Sequence, residues 1–144
     1  MSYASKKGWQ YEHDIAKMLC KLFPNIKFVN VGGSEKTRKV LQGDVAVIVK
    51  DMNSTMENVW HNLFIECKCQ AHPCIKTITE KTEKDSKLYG KWGYVCFIKK
   101  QQQGHKATEE LVVLSKRANE LLFGHKEKEV CDIKEFKENC EKLV

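Results

Sequence analysis

The stretch Asp44–Lys50, DVAVIVK, constrains the fold more than any other part of the chain. It is rich in β-branched residues and apolar on both faces, as expected of a strand inside a sheet. Leu63–Gln70, LFIECKCQ, reads as the strand that returns beside it. Between the two, Asp51, Asn53, Ser54 and Asn58 suit a turn. The strands are therefore expected to pair as an antiparallel hairpin centred near residue 56, with position 44 opposite position 68.

The remaining segments arrange themselves around this hairpin. From Gly8 to Phe23, Tyr11, Ile15, Met18, Leu19 and Leu22 form one helical stripe, which Pro24 helps to end. Phe28–Val31 predicts a short strand, and Glu35–Gln42 a polar, basic loop. Ile75–Tyr89 carries a weak helical pattern closed by Gly90, and Tyr94–Lys100 and Glu110–Leu114 predict two further strands. Ser115 then caps a helix that stops at Gly124, and Asp132 with Glu135 opens a last helix. The order α-β-β-β-α-β-β-α-α, without repeats or linkers, predicts a single α/β domain over residues 1–144, a sheet flanked by helices.

Composition narrows the possible partners. The chain carries 25 Lys and Arg against 19 Asp and Glu, a formal charge of +6. That excess favours a polyanionic partner, whose phosphates release counterions when Lys and Arg neutralise them; a merely solubilising surface is the alternative. The amino terminus is amphipathic rather than a charged region followed by an apolar stretch, and no run approaches the roughly 20 apolar residues that span a bilayer. Seven cysteines, an odd number, then read as reduced thiols that mostly pack as small core residues. A soluble, cytoplasmic protein with no membrane partner is expected.

One strand face carries the chemistry. Alternation along Ile65–Gln70 places Glu66, Lys68 and Gln70 on one side and Ile65, Cys67 and Cys69 on the other. The hairpin brings Asp44 to the same edge. Two carboxylates beside a lysine make an oxygen-rich pocket suited to Mg²⁺, which takes one or two carboxylates plus substrate phosphate and keeps several waters. Such an ion stabilises charge on a scissile phosphate and acidifies water, while Lys68 orients that water or assists in deprotonating it. Glu12 lies one step beside the apolar stripe of the first helix, placed to add a further metal or water ligand.

Gly43-Asp44 followed by Glu66-Cys67-Lys68 resembles the signature of the PD-(D/E)xK nucleases. Gly8 four residues before Glu12, and Gly32-Gly33-Ser34 ahead of the Asp strand, look most like the archaeal-type Holliday junction resolvase branch. The resemblance covers roughly residues 6 to 100. It implies a restriction-endonuclease-like core, with a central mixed β-sheet flanked by helices, and often a homodimer. It further implies Asp44 and Glu66 as Mg²⁺ ligands with help from the Cys67 carbonyl, Mn²⁺ substituting, Lys68 as catalytic, and Glu12 completing the site. Gly43 stands where the signature is named for proline. The loop before Asp44 is long, and Gln70 follows the lysine where the resolvase branch more often has a small residue, which is closer to restriction and phage-encoded relatives.

Other residues have lesser roles in this reading. Ser34 is a candidate for phosphate contact, as are Lys36, Arg38 and Lys39 in the basic loop; Gln70 is placed to touch nucleic acid, and Lys99 and Lys100 to follow a backbone. Trp92 and Tyr94 are expected to pack. Cys67, Cys69, His72 and Cys74 lie too close together, with two on an inner strand face, to surround one tetrahedral zinc. The expected function is Mg²⁺-dependent endonucleolytic cleavage of branched DNA by a homodimer, a class of reaction that serves recombination and repair. The alternatives are a restriction-type or phage nuclease acting on duplex or single-stranded DNA, and a non-catalytic basic DNA-binding module.

Overall fold

The computed structural model of the chain describes residues 3–32, 41–50, 54–101 and 109–143. Ser34, Lys36, Arg38 and Lys39 lie outside the described residues. The elements run α1 (Tyr3–Leu22), β1 (Lys27–Asn30), β2 (Val45–Ile48), α2 (Thr55–His61), β3 (Leu63–Gln70), α3 (Ile75–Leu88), β4 (Gly93–Lys100), β5 (Glu109–Leu114), α4 (Lys116–Phe123), β6 (Glu129–Asp132) and α5 (Ile133–Glu141). The six strands form one mixed sheet in the order β1-β2-β3-β4-β5-β6. Among the described residues only β3 and β4 run parallel, joined by the crossover helix that parallel neighbours require, here α3. Among the described residues, no helix is long and apolar enough to cross a membrane.

The sheet is covered unequally. Tyr11, Ile15 and Leu19 of α1, Val59 and Trp60 of α2, Ala118 and Leu122 of α4, and Phe136 and Cys140 of α5 share one core with Val45, Ile65, Cys67, Val95 and Phe97 of the strands. Phe23, Phe28 and Trp60 meet there edge to face, as do Phe97, Phe123 and Phe136. The opposite face is packed by α3, whose Ile78 meets Phe64, Tyr94, Cys96, Ile98 and Val113. Among the described residues, four helices therefore shield one side of the sheet and one shields the other, so the row carrying Glu66 and Lys68 lies on the thinly covered face.

Four expectations need correcting. Asp51 and Asn53 of the expected turn lie outside the described residues, and Thr55–His61 is helical rather than a turn. Ser54 caps it by accepting the Glu57 N–H at 3.3 Å, and the buried Glu57 side chain accepts the Lys50 N–H at 2.7 Å. β2 and β3 are thus joined through a helix, and their register is Val45↔Ile65, two residues from the hairpin expectation. The order also omitted β6, an edge strand with Val130 exposed and Cys131 buried. Ser115 and Gly124 bound α4 as expected, and the Asp132 side chain caps α5 on the Glu135 N–H at 2.8 Å. Tyr94 is buried, whereas Trp92 is exposed rather than packed. All seven cysteines are free thiols, and Cys67, Cys96, Cys131 and Cys140 are buried.

Candidate active site

The site forms where two strands part. Val45↔Ile65 is the single paired position of β2 and β3, and beyond it the strands diverge. Asp44 stands at that fork, its backbone held from both sides: its N–H donates to the Ile65 carbonyl at 2.9 Å, and its carbonyl accepts the Val31 N–H at 3.0 Å. Gly43 makes the approach possible. Its φ is +91°, and a Cβ there would lie 2.8 Å from the Ile65 carbonyl oxygen, so only glycine fits.

The Asp44 side chain fills the gap left by β2. Its Oδ2 accepts the Cys67 N–H at 2.8 Å, replacing the strand partner that Cys67 lacks on that side. The N–H and C=O of one strand residue point the same way, so the Cys67 carbonyl is also directed toward Asp44. Cys67's own side chain points into the core. Burial first, then the charge of Asp44, pushes its thiol well above the usual range, which makes it inert as a nucleophile.

Glu66 and Lys68 project from the other face of β3, as alternation requires. Lys68 Nζ lies 3.5 Å from Glu66 Oε1, with the two side chains 32% and 12% exposed. Burial is the largest influence on Glu66, followed by the closeness of the Asp44 carboxylate, near enough to share a proton; Lys68 opposes both. The balance pushes the Glu66 pKa up to about 8. Two carboxylates held this close, against one lysine, lack positive charge when both are ionised.

That imbalance tests the fit of a divalent cation. Among the described residues no three His, Cys, Asp or Glu side chains converge as a metal cluster, and the two carboxylates that do meet are Asp44 and Glu66. Mg²⁺ needs no more than that from side chains, since a carbonyl, water and phosphate oxygens complete its octahedron. The paired carboxylates and the inward-directed Cys67 carbonyl fit such an ion. Glu12 belongs to α1, the layer on the Cys67 side of the sheet, where its charge reaches the Cys67 thiol. The structure thus gathers Asp44, Glu66 and Lys68, and it sets Glu12 on α1 beside the Cys67 thiol.

The remaining candidates separate. Gln70 ends β3, exposed, and its carbonyl accepts the Gln101 N–H at 2.9 Å. Lys99 faces the α1 side with its Nζ 5.7 Å from the Tyr11 ring centroid. Lys100 faces the other side and lines a cavity with His72 and Glu109. That grouping escaped the sequence reading, although strand parity extended from β3 through β4 to β5 would have found it. Compared with family models, with curated proteins and with solved structures, the chain has no match in any of the three.

Proposed function

We propose that this protein is a metal-dependent DNA endonuclease that hydrolyses phosphodiester bonds, with Asp44, Glu66 and Lys68 as its working residues. The observation that carries this reading is the meeting of two carboxylates and an ammonium at the β2–β3 fork, on the thinly covered face of the sheet. A mixed sheet with helices on both faces supports a restriction-endonuclease-like core. The formal charge of +6 supports a polyanionic substrate.

In this reading Asp44, Glu66 and the Cys67 carbonyl hold Mg²⁺ or Mn²⁺. When bound, the cation supplies positive charge at the scissile phosphate and acidifies water. The Cys67 N–H fixes the Asp44 carboxylate in one orientation, so the ligand is preorganised before substrate arrives. Lys68, tied to Glu66, orients the attacking water and offsets charge that grows on the phosphate oxygens. The water oxygen bonds to phosphorus and gives up a proton to solvent as the bond from phosphorus to the leaving strand breaks, and the departing oxygen takes a proton from solvent. No covalent enzyme intermediate is involved. Glu12 supports the site from α1.

Branched DNA is the substrate we favour, because a four-way junction needs two symmetric cuts and a two-fold homodimer supplies them. The test is cleavage of a four-way junction beside a duplex of the same length, with and without Mg²⁺. Nicks confined to the junction and dependent on Mg²⁺ are expected. Equal cutting of both would make it a general duplex nuclease. Salt-sensitive binding with no cutting in Mg²⁺ or Mn²⁺ would make it a binding module.

A further inference from the structure

A cavity of about 320 Å³ opens on the same sheet face as Glu66 and Lys68, two strands away from the β2–β3 fork. Register locates it. Lys68 pairs with Ile98, which pairs with Leu111; one step further along, Gln70 pairs with Lys100, which pairs with Glu109. Alternation puts all six on the α3 side. Neighbouring strands lie about 4.8 Å apart, so the floor made by Ile98 and Leu111 begins roughly 5 Å from the Lys68 backbone and extends to roughly 10 Å. Stacked nucleotides along one strand are about 3.4 Å apart. The floor therefore lies one to three nucleotides from a phosphate held at Lys68.

The lining suits one flat, partly polar ring. Ile98 and Leu111 offer an apolar floor, and Pro73 and Ile75 of the β3–α3 connection make a wall. The polar groups stand at the rim: the imidazole of His72, the ammonium of Lys100 and the carboxylate of Glu109. Lys100 and Glu109 are directly paired across β4 and β5, where opposite charges ordinarily meet. Among the described residues no ion pair joins them, and both line the cavity. The volume is at the small end of ligand sites, room for a single base rather than a base pair. A carboxylate at the rim accepts from an exocyclic amino group, and a lysine donates to ring or carbonyl acceptors.

We propose that this cavity receives one unstacked nucleobase of the DNA strand near the scissile phosphate, preferring a base with an exocyclic amino group through Glu109. The proposal rests on the nuclease reading above and adds to it a site that reads the substrate. Unstacking costs least at a branch point or in single-stranded DNA, so the cavity would also favour such substrates.

The test uses the full chain and junction DNA carrying 2-aminopurine, itself an amino-bearing base that brightens when unstacked. The fluorophore is placed at successive positions along one strand through the branch point. With chelator present to prevent cutting, binding is expected to raise fluorescence several-fold at one position and little elsewhere. Leu111→Trp, which fills the cavity, is expected to remove that rise. Glu109→Gln, a change at the exposed rim, covers the case in which the larger side chain disturbs folding. It should reduce the preference for cytosine over thymine at that position, read as relative cleavage with Mg²⁺, by about tenfold. Bound DNA with no bright position, a bright position that survives Leu111→Trp in folded protein, or an unchanged base preference in Glu109→Gln would each overturn the proposal. Cleavage by the wild type in Mg²⁺ would leave the nuclease reading standing in those cases. No cleavage and no binding would overturn both.

Discussion

Asp44 Oδ2 accepts a hydrogen bond of 2.8 Å from the backbone N–H of Cys67, so one carboxylate both completes a strand and faces Glu66. The two roles can be separated. Asp44→Asn retains an oxygen for the Cys67 N–H and loses the charge, whereas Asp44→Ala loses both. Cleavage is expected to fall to background in either variant. Thermal unfolding should hardly change for Asn, while Ala should cost about 1–3 kcal/mol for the unpaired N–H. Equal destabilisation by both variants would remove the strand-completing role, and activity in either would remove the metal-ligand role.

Lys68 lowers the Glu66 pKa through its charge and its hydrogen bond, against burial and Asp44. Lys68→Ala should abolish cleavage while junction binding, followed by gel shift, stays within a few-fold of wild type. The site lies on the thinly covered face, and Lys68 is 32% exposed, so little packing is lost. Loss of binding in step with loss of cutting would mean that Lys68 only holds DNA.

Stability should depend on pH through Glu66. Its folded pKa of about 8 stands above the ordinary 4.5, so between those values the native chain holds a proton that the unfolded chain has released. The sign follows: stability in chelator falls as pH rises from about 4.5 to about 8, by an amount on the order of a few kcal/mol. Glu66→Gln, neutral throughout, should flatten that part of the curve and be the more stable chain at pH 8. Binding of Mg²⁺ by the ionised pair should release up to one proton near pH 7, measurable in weakly buffered solution. Parallel pH curves for wild type and Glu66→Gln in urea unfolding would refute this account.

The parts of the fold that were legible in the sequence are those fixed by short-range chemistry. Period two along LFIECKCQ sent Cys67 to the core and Glu66 to the opposite face, and Ser115 and Gly124 marked both ends of α4. The helix after β2 was misread because Asn53, Ser54 and Asn58 suit turns as well as caps. Ser54-x-x-Glu57 is a capping pattern, and that signal was present. The register error followed, since a turn and a helix bring the returning strand back at different residues. β6 was invisible for another reason: at a sheet edge Cys131 is its one buried residue, so no alternation survives. For Glu12, helical phase was legible, but not which face of the sheet α1 covers.

Ser115 provides a control far from the fork. Its hydroxyl oxygen accepts the Tyr94 N–H at 3.0 Å and the Ala118 N–H at 3.2 Å, both buried. Ser115→Ala leaves two donors without that acceptor and should cost about 1–3 kcal/mol. Cleavage rates well below the melting temperature should be unchanged, because no catalytic group touches it. A rate loss in the folded variant would mean that α4 influences the site.

Gly43 is where the backbone of this chain departs from the signature it resembles. Proline locks φ near −65°, whereas Gly43 sits at +91°. A Cβ at this position would stand 2.8 Å from the Ile65 carbonyl oxygen, the same atom that accepts the Asp44 N–H. Introducing proline is therefore expected to damage the proposed site. Gly43→Ala should destabilise by about 1–3 kcal/mol in urea unfolding, from strain and the close contact together. It should reduce cleavage further than that loss explains, because moving Asp44 by even ~1 Å misplaces the proposed metal ligand. Gly43→Pro should be worse on both measures. A Gly43→Pro chain as stable and as active as wild type would show that Asp44 does not need this backbone to reach the fork.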